Sequence, residues 1–400
     1  MITDISFKNY KLFKEQQTLV LKPLTILIGK NNTGKSALLK LLPLLEGSLS
    51  TRFDHPIDLN NNEVSLGEFP KDLIYGQSNK ELEFEIKQLN WKNENEFLKV
   101  GLYVQDDEFK ISQWNCNNII DLELDSADNN SYLNKKTSKV INAKFQGFNL
   151  KSMEYNDELL QLPKFSLNSD YIGGIRQKAE TYYTFNNIIT EKSAADGSNL
   201  YNFLIEDSQT TNKKYFTLVS NWLKEKFEGW ELRIEYDGYR KDLPARIFLE
   251  KDTLKVNLSQ TGMGISQILP LIIRAYKPCS KETVIVLEEP EAHLHPYAHA
   301  QIAQLFFESV DLDKNKKYLI ETHSQNFVLR LRRLVAEGKL RPDDLNIYYV
   351  DYDEDQNFSE LKPIVIDEFG KVDWWPDVFG ETLQEASAIR TAQIDKGNVD

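Results

Sequence analysis

An eight-residue loop, Gly29–Ser36, lies between a short apolar segment and a leucine-rich one. The preceding segment, Leu24–Ile28, is apolar almost throughout, as is typical of a strand buried on both faces of a sheet. The following segment, Lys35–Leu45, is apolar on nearly every side of a helix, and Pro43 is expected to bend or end that helix. A buried strand that leads through a glycine loop into a helix predicts an α/β fold.

The loop matches the pattern G-x-x-x-x-G-K-[ST], which binds phosphate when it joins a strand to a helix. Its glycines let backbone N–H groups surround a β-phosphate, and the helix N-terminus adds favourable partial charge. Lys35 can reach the β- and γ-phosphate oxygens, and Ser36 can bind Mg²⁺. The alternative interpretation is a glycine-rich turn without a ligand. The predicted nucleotide-binding residues are Gly29, Asn31, Asn32, Thr33, Gly34, Lys35, Ser36 and Ala37.

A second segment, Thr283–Glu291, places acids directly after an apolar strand. The apolar run Val284–Leu287 is followed by Glu288 and Glu289. Downstream of a phosphate-binding loop, the first acid can hold Mg²⁺ and the second can polarise the attacking water. The alternative interpretation is a strand end that carries solvated acids.

One βα unit later, His323 follows another apolar strand in the segment Ile320–Ser324. In open α/β sheets the carboxyl ends of the strands face the ligand. As the third strand-end motif in order, His323 is predicted to sense the γ-phosphate, although a lone histidine at such a place is often structural.

A glycine-containing segment, Leu258–Gln267, precedes the acidic pair and is followed by the apolar run Ile268–Ile273. Glycines ahead of a helix start can present backbone N–H groups to a phosphate. An ordinary loop and helix cap would explain the same residues.

Composition indicates a folded protein without membrane segments. The chain has 400 residues, of which 41% are hydrophobic and 27% are charged, so it can bury a sizeable core. No apolar run approaches the roughly 18–20 residues that a membrane span needs, and the first residues lack the pattern of a signal peptide. Cys116 and Cys279 are too few for a disulfide framework and fit a reducing compartment. We therefore expect a cytoplasmic protein that does not contact a membrane.

The order and spacing of these motifs resemble the ABC-type ATPase heads, in the branch that holds RecF, the SMC-like repair ATPases and the OLD-family nucleases. By this resemblance Gly29–Ser36 is the Walker A loop, Glu288 the Walker B acid and Glu289 the catalytic glutamate. His323 is then the switch histidine. The implied catalytic residues are Lys35, Glu289 and His323, the implied metal ligands are Ser36 and Glu288, and the implied cofactors are Mg²⁺ with ATP as substrate.

The resemblance also implies a dimer, because in such proteins the signature of one subunit caps the ATP bound to the other. The signature residues in this sequence would be Gly262, Gly264, Ser266 and Gln267. The sequence departs from the transporter pattern, since its signature reads TGMGISQ rather than LSGGQ. Glu288 also stands where transporters carry aspartate, and His295 stands where a D-loop aspartate is common. These departures weaken the interpretation as a transporter.

Several phrases resemble a group of small prokaryotic predicted ATPases in this branch. They are residues 289–296 and 321–324, together with 171–177, which resembles a mid-chain motif near the Gln-containing loop. Residues 369–376 resemble the tail of a frequent C-terminal extension in that group. The expected fold is an α/β, ABC-type P-loop ATPase head with a β-rich N-terminal lobe and an inserted mixed α/β segment.

Between the motifs, short alternating segments broken by Asn/Asp-rich loops predict an antiparallel β-rich lobe. Helical periodicity returns near 200–205 and 216–227, and a βαβ rhythm resumes at Thr283. The predicted units are 1–50 (first part of the ATPase core with Walker A), 51–165 (β-rich lobe), 166–255 (helical and mixed segment), 256–350 (second part of the core with signature, Walker B and switch histidine) and 351–400 (acidic C-terminal extension).

The implied activity is Mg²⁺-dependent ATP hydrolysis by a homodimer or higher homo-oligomer. Related stand-alone ATPases of this size are often the sensor subunits of anti-phage defence systems, which work with a separately encoded effector such as a nuclease. Two alternatives stay open. One is a RecF-like DNA-repair or chromosome-maintenance ATPase that acts directly on DNA, and the other is an ATP-dependent assembly scaffold with slow hydrolysis.

The net charge of −13 is unevenly distributed along the chain. Residues 1–50 carry seven basic and three acidic side chains, whereas residues 351–400 carry four basic and thirteen acidic ones. The acidic total therefore does not exclude a nucleic-acid partner at the core. Trp374 and Trp375 are candidate anchors for a basic partner protein, and a solvated tail is the alternative.

Three further clusters permit both a functional and a structural interpretation. His293, His295 and His299 have a spacing compatible with zinc, but the resemblance places the dimer-facing D-loop there. Tyr10, Lys11 and Phe13 could lie near the nucleotide or form a turn and core. Basic residues that could contact DNA, a partner or solvent are Arg330, Arg332, Arg333, Lys339 and Arg341.

Overall fold

The structure is a computed structural model that describes residues 2–125, 131–153, 162–184, 190–227, 229–236, 244–372, 388 and 390–392. Its strands are β1 (Ile2–Lys8), β2 (Gln17–Val20), β3 (Leu24–Ile28), β4 (Asn60–Asn61), β5 (Val64–Ser65), β6 (Leu82–Leu89), β7 (Asn95–Gln105), β8 (Glu108–Cys116), β9 (Ile120–Leu124), β10 (Ser131–Asn134), β11 (Lys139–Gln146), β12 (Asn149–Met153), β13 (Ser169–Ile172), β14 (Glu231–Tyr236), β15 (Ala245–Lys251), β16 (Leu254–Asn257), β17 (Thr283–Glu288), β18 (Lys316–Glu321), β19 (Leu345–Asp353) and β20 (Phe358–Ile364). Its α-helices are α1 (Lys35–Leu49), α2 (Leu200–Gln209), α3 (Lys214–Lys226), α4 (Met263–Tyr276), α5 (Pro296–Leu312) and α6 (Gln325–Ala336). Across the described ranges, none of these helices combines the length and the apolar character that crossing a membrane requires.

Six strands form a sheet in the order β13-β17-β18-β3-β19-β20. Neighbours from β13 to β19 are parallel, and β20 pairs antiparallel with β19. The order places β18 between β3, which precedes the glycine loop, and β17, which ends at the acidic pair. Because the carboxyl ends of parallel strands meet at one edge of a sheet, the three motifs lie at the same edge.

The side chains of β3 alternate between two hydrophobic cores. Leu24, Ile26 and Ile28 pack in the core that contains residues of α2 to α6. Leu27 packs on the opposite face, in the core that contains α1 and the large antiparallel sheet. The predicted strand is therefore confirmed as one buried on both faces, and each such side chain contributes about 1.5–3 kcal/mol of burial free energy.

Nine strands form the large antiparallel sheet, in the order β12-β11-β10-β9-β8-β7-β6-β1-β2. The predicted antiparallel character of the region is confirmed. Strand β1 pairs with β6, so the first residues of the chain and the predicted lobe share one sheet and one core. The predicted boundary at residue 50 crosses this core, and the domain limits stay predictions.

Helix α1 continues six residues beyond Pro43 and ends at Leu49. Of the two expected effects of Pro43, to bend or to end the helix, the second is therefore excluded. Proline removes one helical hydrogen bond, but the leucines on both sides of it are fully buried. Asn61 Nδ2 also donates to the Pro43 carbonyl at 2.6 Å. Tertiary contacts thus offset the local cost.

The predicted helical segments near 200–205 and 216–227 are found as α2 and α3. They pack with a three-stranded sheet of order β14-β15-β16 and with α4. The predicted α/β fold with a β-rich N-terminal part and a mixed segment is confirmed.

Candidate nucleotide-binding site

The loop between β3 and α1 requires glycine at two positions. Gly29 has a φ of +152°, and a Cβ on it would collide with the carbonyl of Val350. Gly34 has a φ of +100°, and a Cβ on it would lie 3.1 Å from the ring of Phe13. Neighbours from distant parts of the chain thus enforce the glycines of the motif.

The ammonium of Lys35 turns back over the loop. Its Nζ donates to the carbonyl of Gly29 at 3.1 Å and to that of Lys30 at 2.6 Å. Burial lowers the pKa of Lys35, and the nearby carboxylate of Glu321 opposes that shift. The lysine is therefore held within the loop, next to the residues predicted to bind phosphate.

A cavity of about 730 Å³ is bounded by the loop and the adjacent strand ends. Six of the eight predicted nucleotide-binding residues line it, whereas Gly29 and Thr33 do not. The Thr33 hydroxyl instead donates to the Lys30 carbonyl at 3.0 Å, inside the loop. The lining residues are Lys11, Leu12, Asn31, Asn32, Gly34, Lys35, Ser36, Ala37, Lys40, Ser65, Leu66, Glu289 and Glu321.

Two of the lining residues add positive charge beyond the motif. Lys11 lines the cavity, while its neighbours Tyr10 and Phe13 are fully buried in the core. Lys40 is not among the predicted residues, although it lies four residues after Ser36 and therefore on the same side of α1. Helical periodicity is the signal that could have found it.

Glu321 is a site residue that the motifs do not predict. It ends β18, where it pairs in register with Glu288 of β17. The Ser36 hydroxyl donates to Glu321 Oε2 at 3.0 Å, and Lys35 Nζ lies 3.6 Å from Oε1. Burial raises the pKa of Glu321, and Lys35 opposes that shift. Its position depends on the sheet order, which the sequence does not show.

The carboxylate of Glu288 is bound on the side of β13. The Tyr171 hydroxyl donates to Glu288 Oε1 at 2.5 Å, and the Gly174 N–H donates to Oε2 at 3.4 Å. Burial and the charge of Glu288 raise the pKa of Tyr171. Ser36 is hydrogen-bonded to Glu321 and Glu288 to Tyr171, so no hydrogen bond joins the two predicted Mg²⁺ ligands.

Glu289 has an unusual backbone conformation, with a φ of +37°. Its N–H donates to the Glu321 carbonyl at 3.0 Å. Arg176 Nη2 donates to the carbonyls of Glu288 and Glu289 at 2.8 and 3.1 Å. These contacts hold a half-exposed carboxylate at the cavity, with Oε1 3.7 Å from Nε2 of His323.

His323 completes a group of three candidate ligands with Glu289 and Glu321. One ligand atom from each lies within 4.8 Å of the others, and no other such group occurs among the residues that the structure describes. Burial and Lys35 lower the pKa of His323, which favours the neutral imidazole near pH 7. Its backbone N–H donates to Glu291 Oε1 at 2.7 Å, which fixes its position.

The two glycines of the predicted signature lie at the start of α4. Gly262 is the N-cap, is exposed, and a Cβ on it would meet no atom within 4 Å. A Cβ on Gly264 would lie 3.3 Å from the His293 carbonyl. The helix start has no side-chain cap, so its first N–H groups are available to a ligand.

The two polar residues of the predicted signature are buried and bonded within the chain. The Ser266 hydroxyl donates to the Met263 carbonyl at 2.9 Å. Gln267 Nε2 donates to the Arg176 carbonyl at 3.0 Å. The two glycines of the predicted signature are thus accessible, whereas its two polar side chains are already hydrogen-bonded within the chain.

Two of the three clustered histidines form hydrogen bonds at helix α5. His295 Nδ1 accepts from the Tyr297 N–H at 3.3 Å, and His299 Nδ1 lies 2.7 Å from the Ser324 hydroxyl. Neither residue, nor His293, belongs to the candidate metal group found in the described parts of the chain. A zinc site is therefore not supported.

Part of the basic cluster is engaged in exposed ion pairs. Arg333 and Lys339 both contact Glu337, at 2.6 and 2.8 Å. Arg341 pairs with Asp344 at 2.7 Å. Such pairs are typical of a solvated face. The predicted anchors Trp374 and Trp375 lie outside the described residues.

The glycine loop, the acids at the adjacent strand ends and the α/β sheet that brings them together define a P-loop ATPase head. The chain belongs to the AAA ATPase domain family (AAA_15), whose model matches residues 1–328. Residues 340–388 match a second family model, described as protein of unknown function DUF3696. The predicted branch and its C-terminal extension are thereby confirmed.

Solved structures of SMC head domains are similar to this chain. A head bound to the C-terminal winged-helix domain of ScpA has a TM-score of 0.51 and 14% identity, and the match covers 91% of this chain and 98% of that one. A head with an extended coiled coil, bound to the C-terminal domain of ScpA from Pyrococcus furiosus, has a TM-score of 0.49, 12% identity and coverage of 97% and 99%. The head domain from Thermotoga maritima has a TM-score of 0.45, 11% identity and coverage of 90% and 98%. The first similarity shows a shared fold. No match was found among curated proteins.

Proposed function

We propose that the chain binds ATP with Mg²⁺ in the cavity at the glycine loop and hydrolyses it as a dimeric ABC-type head. The observation that carries this proposal is that Lys35, Ser36 and Glu289 line one cavity. A phosphate-binding loop and a half-exposed carboxylate at the same cavity are the two parts that phosphoryl transfer to water requires.

Each predicted catalytic residue has a role that its surroundings allow. Lys35 exchanges its two loop carbonyls for β- and γ-phosphate oxygens. Glu289 accepts a hydrogen bond from the attacking water and orients it towards the phosphorus. His323, as a neutral imidazole 3.7 Å from Glu289, contacts the γ-phosphate and reports its presence.

Mg²⁺ fits the oxygen-rich donor set at this edge of the sheet. When bound, the ion neutralises charge that develops on the phosphoryl oxygens. Ser36 supplies its hydroxyl from the first turn of α1, and the sequence predicts Glu288 as the accompanying acid. Glu288 would have to release the Tyr171 hydroxyl in order to contact the ion directly.

The dimer in this proposal places the start of α4 against the nucleotide of the second subunit. Gly262 and Gly264 present backbone N–H groups at a helix start without a side-chain cap, which suits an anionic phosphate. Ser266 and Gln267, also predicted to contact that nucleotide, would first have to leave their intrachain partners.

The biological role in this proposal is that of a regulatory ATPase in a prokaryotic anti-phage system, acting with a separate effector in the cytoplasm. Its support is the resemblance of residues 289–296 and 321–324 to such stand-alone ATPases. An SMC head bound to a domain of ScpA is an example of this fold with a separate partner. Expression of the native operon with a tag on this chain tests the role. A co-purifying effector supports it, whereas DNA-stimulated turnover without an effector favours the RecF-like alternative.

Glu289→Gln tests the catalytic assignment. Loss of the carboxylate should abolish hydrolysis while ATP still binds, so the variant should trap ATP and accumulate as a dimer in light scattering. Glu282→Gln is a matched control at the opposite end of β17, where Glu282 pairs with Lys317, and it should hydrolyse ATP at the wild-type rate. Unchanged steady-state hydrolysis by Glu289→Gln would overturn the assignment.

A further inference from the structure

Among the acids at the strand ends, Glu321 is the one that contacts the glycine loop. Its carboxylate accepts the Ser36 hydroxyl at 3.0 Å and lies 3.6 Å from Lys35 Nζ. The side chain is only 6% exposed, and it still lines the cavity of about 730 Å³. Glu321 is thus a buried carboxylate that borders the cavity at the glycine loop.

The carboxylate that the motif assigns to the metal is held elsewhere. Glu288 accepts hydrogen bonds from the Tyr171 hydroxyl at 2.5 Å and the Gly174 N–H at 3.4 Å. Both donors come from β13 and the loop after it, on the side of β17 away from the glycine loop. Strand β18 lies between β17 and β3, so its last residue is the acid nearer to Ser36.

The geometry of the Ser36–Glu321 contact suits an octahedral ion. Neighbouring ligands of Mg²⁺ lie about 3.0 Å apart, because each Mg–O bond is about 2.1 Å long. The Ser36 Oγ and Glu321 Oε2 atoms are 3.0 Å apart. An ion can therefore replace the hydrogen bond between them without a change in the separation of the two oxygens.

We infer that Glu321, together with Ser36, holds the Mg²⁺ that accompanies the nucleotide. This inference rests on the proposed function, which supplies the nucleotide. Without the ion, the buried Glu321 carboxylate faces the phosphates across the cavity and repels them. With the ion, the carboxylate becomes a metal ligand. Lys35 then leaves its ion pair with Glu321 and contacts the phosphates. The affinity for nucleotide should therefore depend strongly on Mg²⁺.

Calorimetric titration with a non-hydrolysable ATP analogue tests the inference without any need for activity. The dissociation constant is measured in Mg²⁺ and in EDTA for the wild type, Glu321→Gln and Glu288→Gln. In the wild type, the dissociation constant should be much lower in Mg²⁺ than in EDTA. The ratio of the two constants is the Mg²⁺ enhancement. Glu321→Gln should reduce that enhancement by about 10–100-fold, the range found when groups that support a metal are removed. It should also bind the metal-free analogue more tightly than the wild type does.

The outcomes separate the two proposals. Loss of the enhancement in Glu321→Gln supports the inference, whether or not Glu288→Gln also loses it. An enhancement that survives in Glu321→Gln and disappears in Glu288→Gln overturns it and leaves the proposed function intact. A wild-type protein that binds no analogue under either condition overturns the proposed function itself. If circular dichroism shows that Glu321→Gln does not fold, Glu321→Asp replaces it in the test. The shorter side chain should weaken the enhancement, and an unchanged enhancement would overturn the inference.

Discussion

Arg176 and Gln267 hold each other through a reciprocal pair of hydrogen bonds. The Arg176 N–H donates to Gln267 Oε1 at 3.3 Å, and Gln267 Nε2 donates to the Arg176 carbonyl at 3.0 Å. The same arginine donates through Nη2 to the carbonyls of Glu288 and Glu289. Burial lowers the pKa of Arg176 to about 10, a value still high enough for the guanidinium to be charged at neutral pH. One buried residue therefore ties the start of α4 to the acidic pair.

Replacement of Gln267 by alanine should destabilise the fold. The change leaves the buried N–H and carbonyl of Arg176 without partners, which costs about 1–3 kcal/mol. The free energy of unfolding in urea measures the effect. Gln260→Ala is the control, because Gln260 is exposed and its loss should change stability by less than about 0.5 kcal/mol. Equal stabilities of the two variants would contradict a structural role for Gln267.

Replacement of Gly262 by alanine should affect hydrolysis without affecting stability. Its φ of −59° suits any residue, and a Cβ would meet no atom of its own chain within 4 Å. In the proposed dimer the same Cβ would stand between the start of α4 and the phosphates of the second subunit. We expect kcat to fall about tenfold or more, with an unchanged melting temperature and unchanged ATP affinity of the monomer. A wild-type kcat would contradict the proposed contact.

The turn between β11 and β12 should be sensitive to crowding at Gly147. Its φ is +57°, and a Cβ would collide with the carbonyl of Ser48 at the end of α1, to which Phe148 N–H donates at 2.7 Å. Gly76 has a similar φ of +62° but open space around it. Gly76→Ala should therefore cost about 1 kcal/mol from backbone strain alone, and Gly147→Ala should cost about 1–3 kcal/mol more. Chemical denaturation of both variants checks the difference, and equal losses would show that the Ser48 contact is not formed.

Lys316 should make stability depend on pH in the alkaline range. Burial lowers its pKa to about 8 in the folded protein, against about 10.4 for an exposed lysine. Between these values the unfolded chain binds more protons, so stability rises with pH. The wild type should therefore gain about 1–2 kcal/mol over Lys316→Met when the pH increases from 7.5 to 9.5. Urea denaturation of both proteins at the two pH values measures this gain, and a constant difference between them would show that the pKa is not lowered.

The sequence predicts secondary structure correctly where a local pattern of residues is enough to determine it. The apolar run before the loop fixes β3, the motif fixes the loop and α1, and the alternating segments fix the antiparallel strands. The sequence does not show that α1 continues beyond Pro43, because this depends on buried leucines that outweigh the lost hydrogen bond. Helix propensity depends on residues within one helix, whereas those leucines stabilise α1 through contacts with strands far away in the sequence.

The site shows the same division between local and distant effects. Lys35, Ser36 and Glu289 could be predicted to share a cavity, because each stands in a motif at a strand end. Glu321 could not be predicted, because its role depends on β18 lying between β3 and β17, and strand order follows from packing among segments far apart in the chain.

From the sequence alone, an α/β P-loop ATPase head and the glycine loop that lines the cavity can be predicted, since a motif fixes backbone shape over a few residues. The contact of Glu321 with Ser36 and that of Gln267 with Arg176 are known only from the folded structure. Those contacts depend on strand order and burial, which arise when distant segments exclude water from one another.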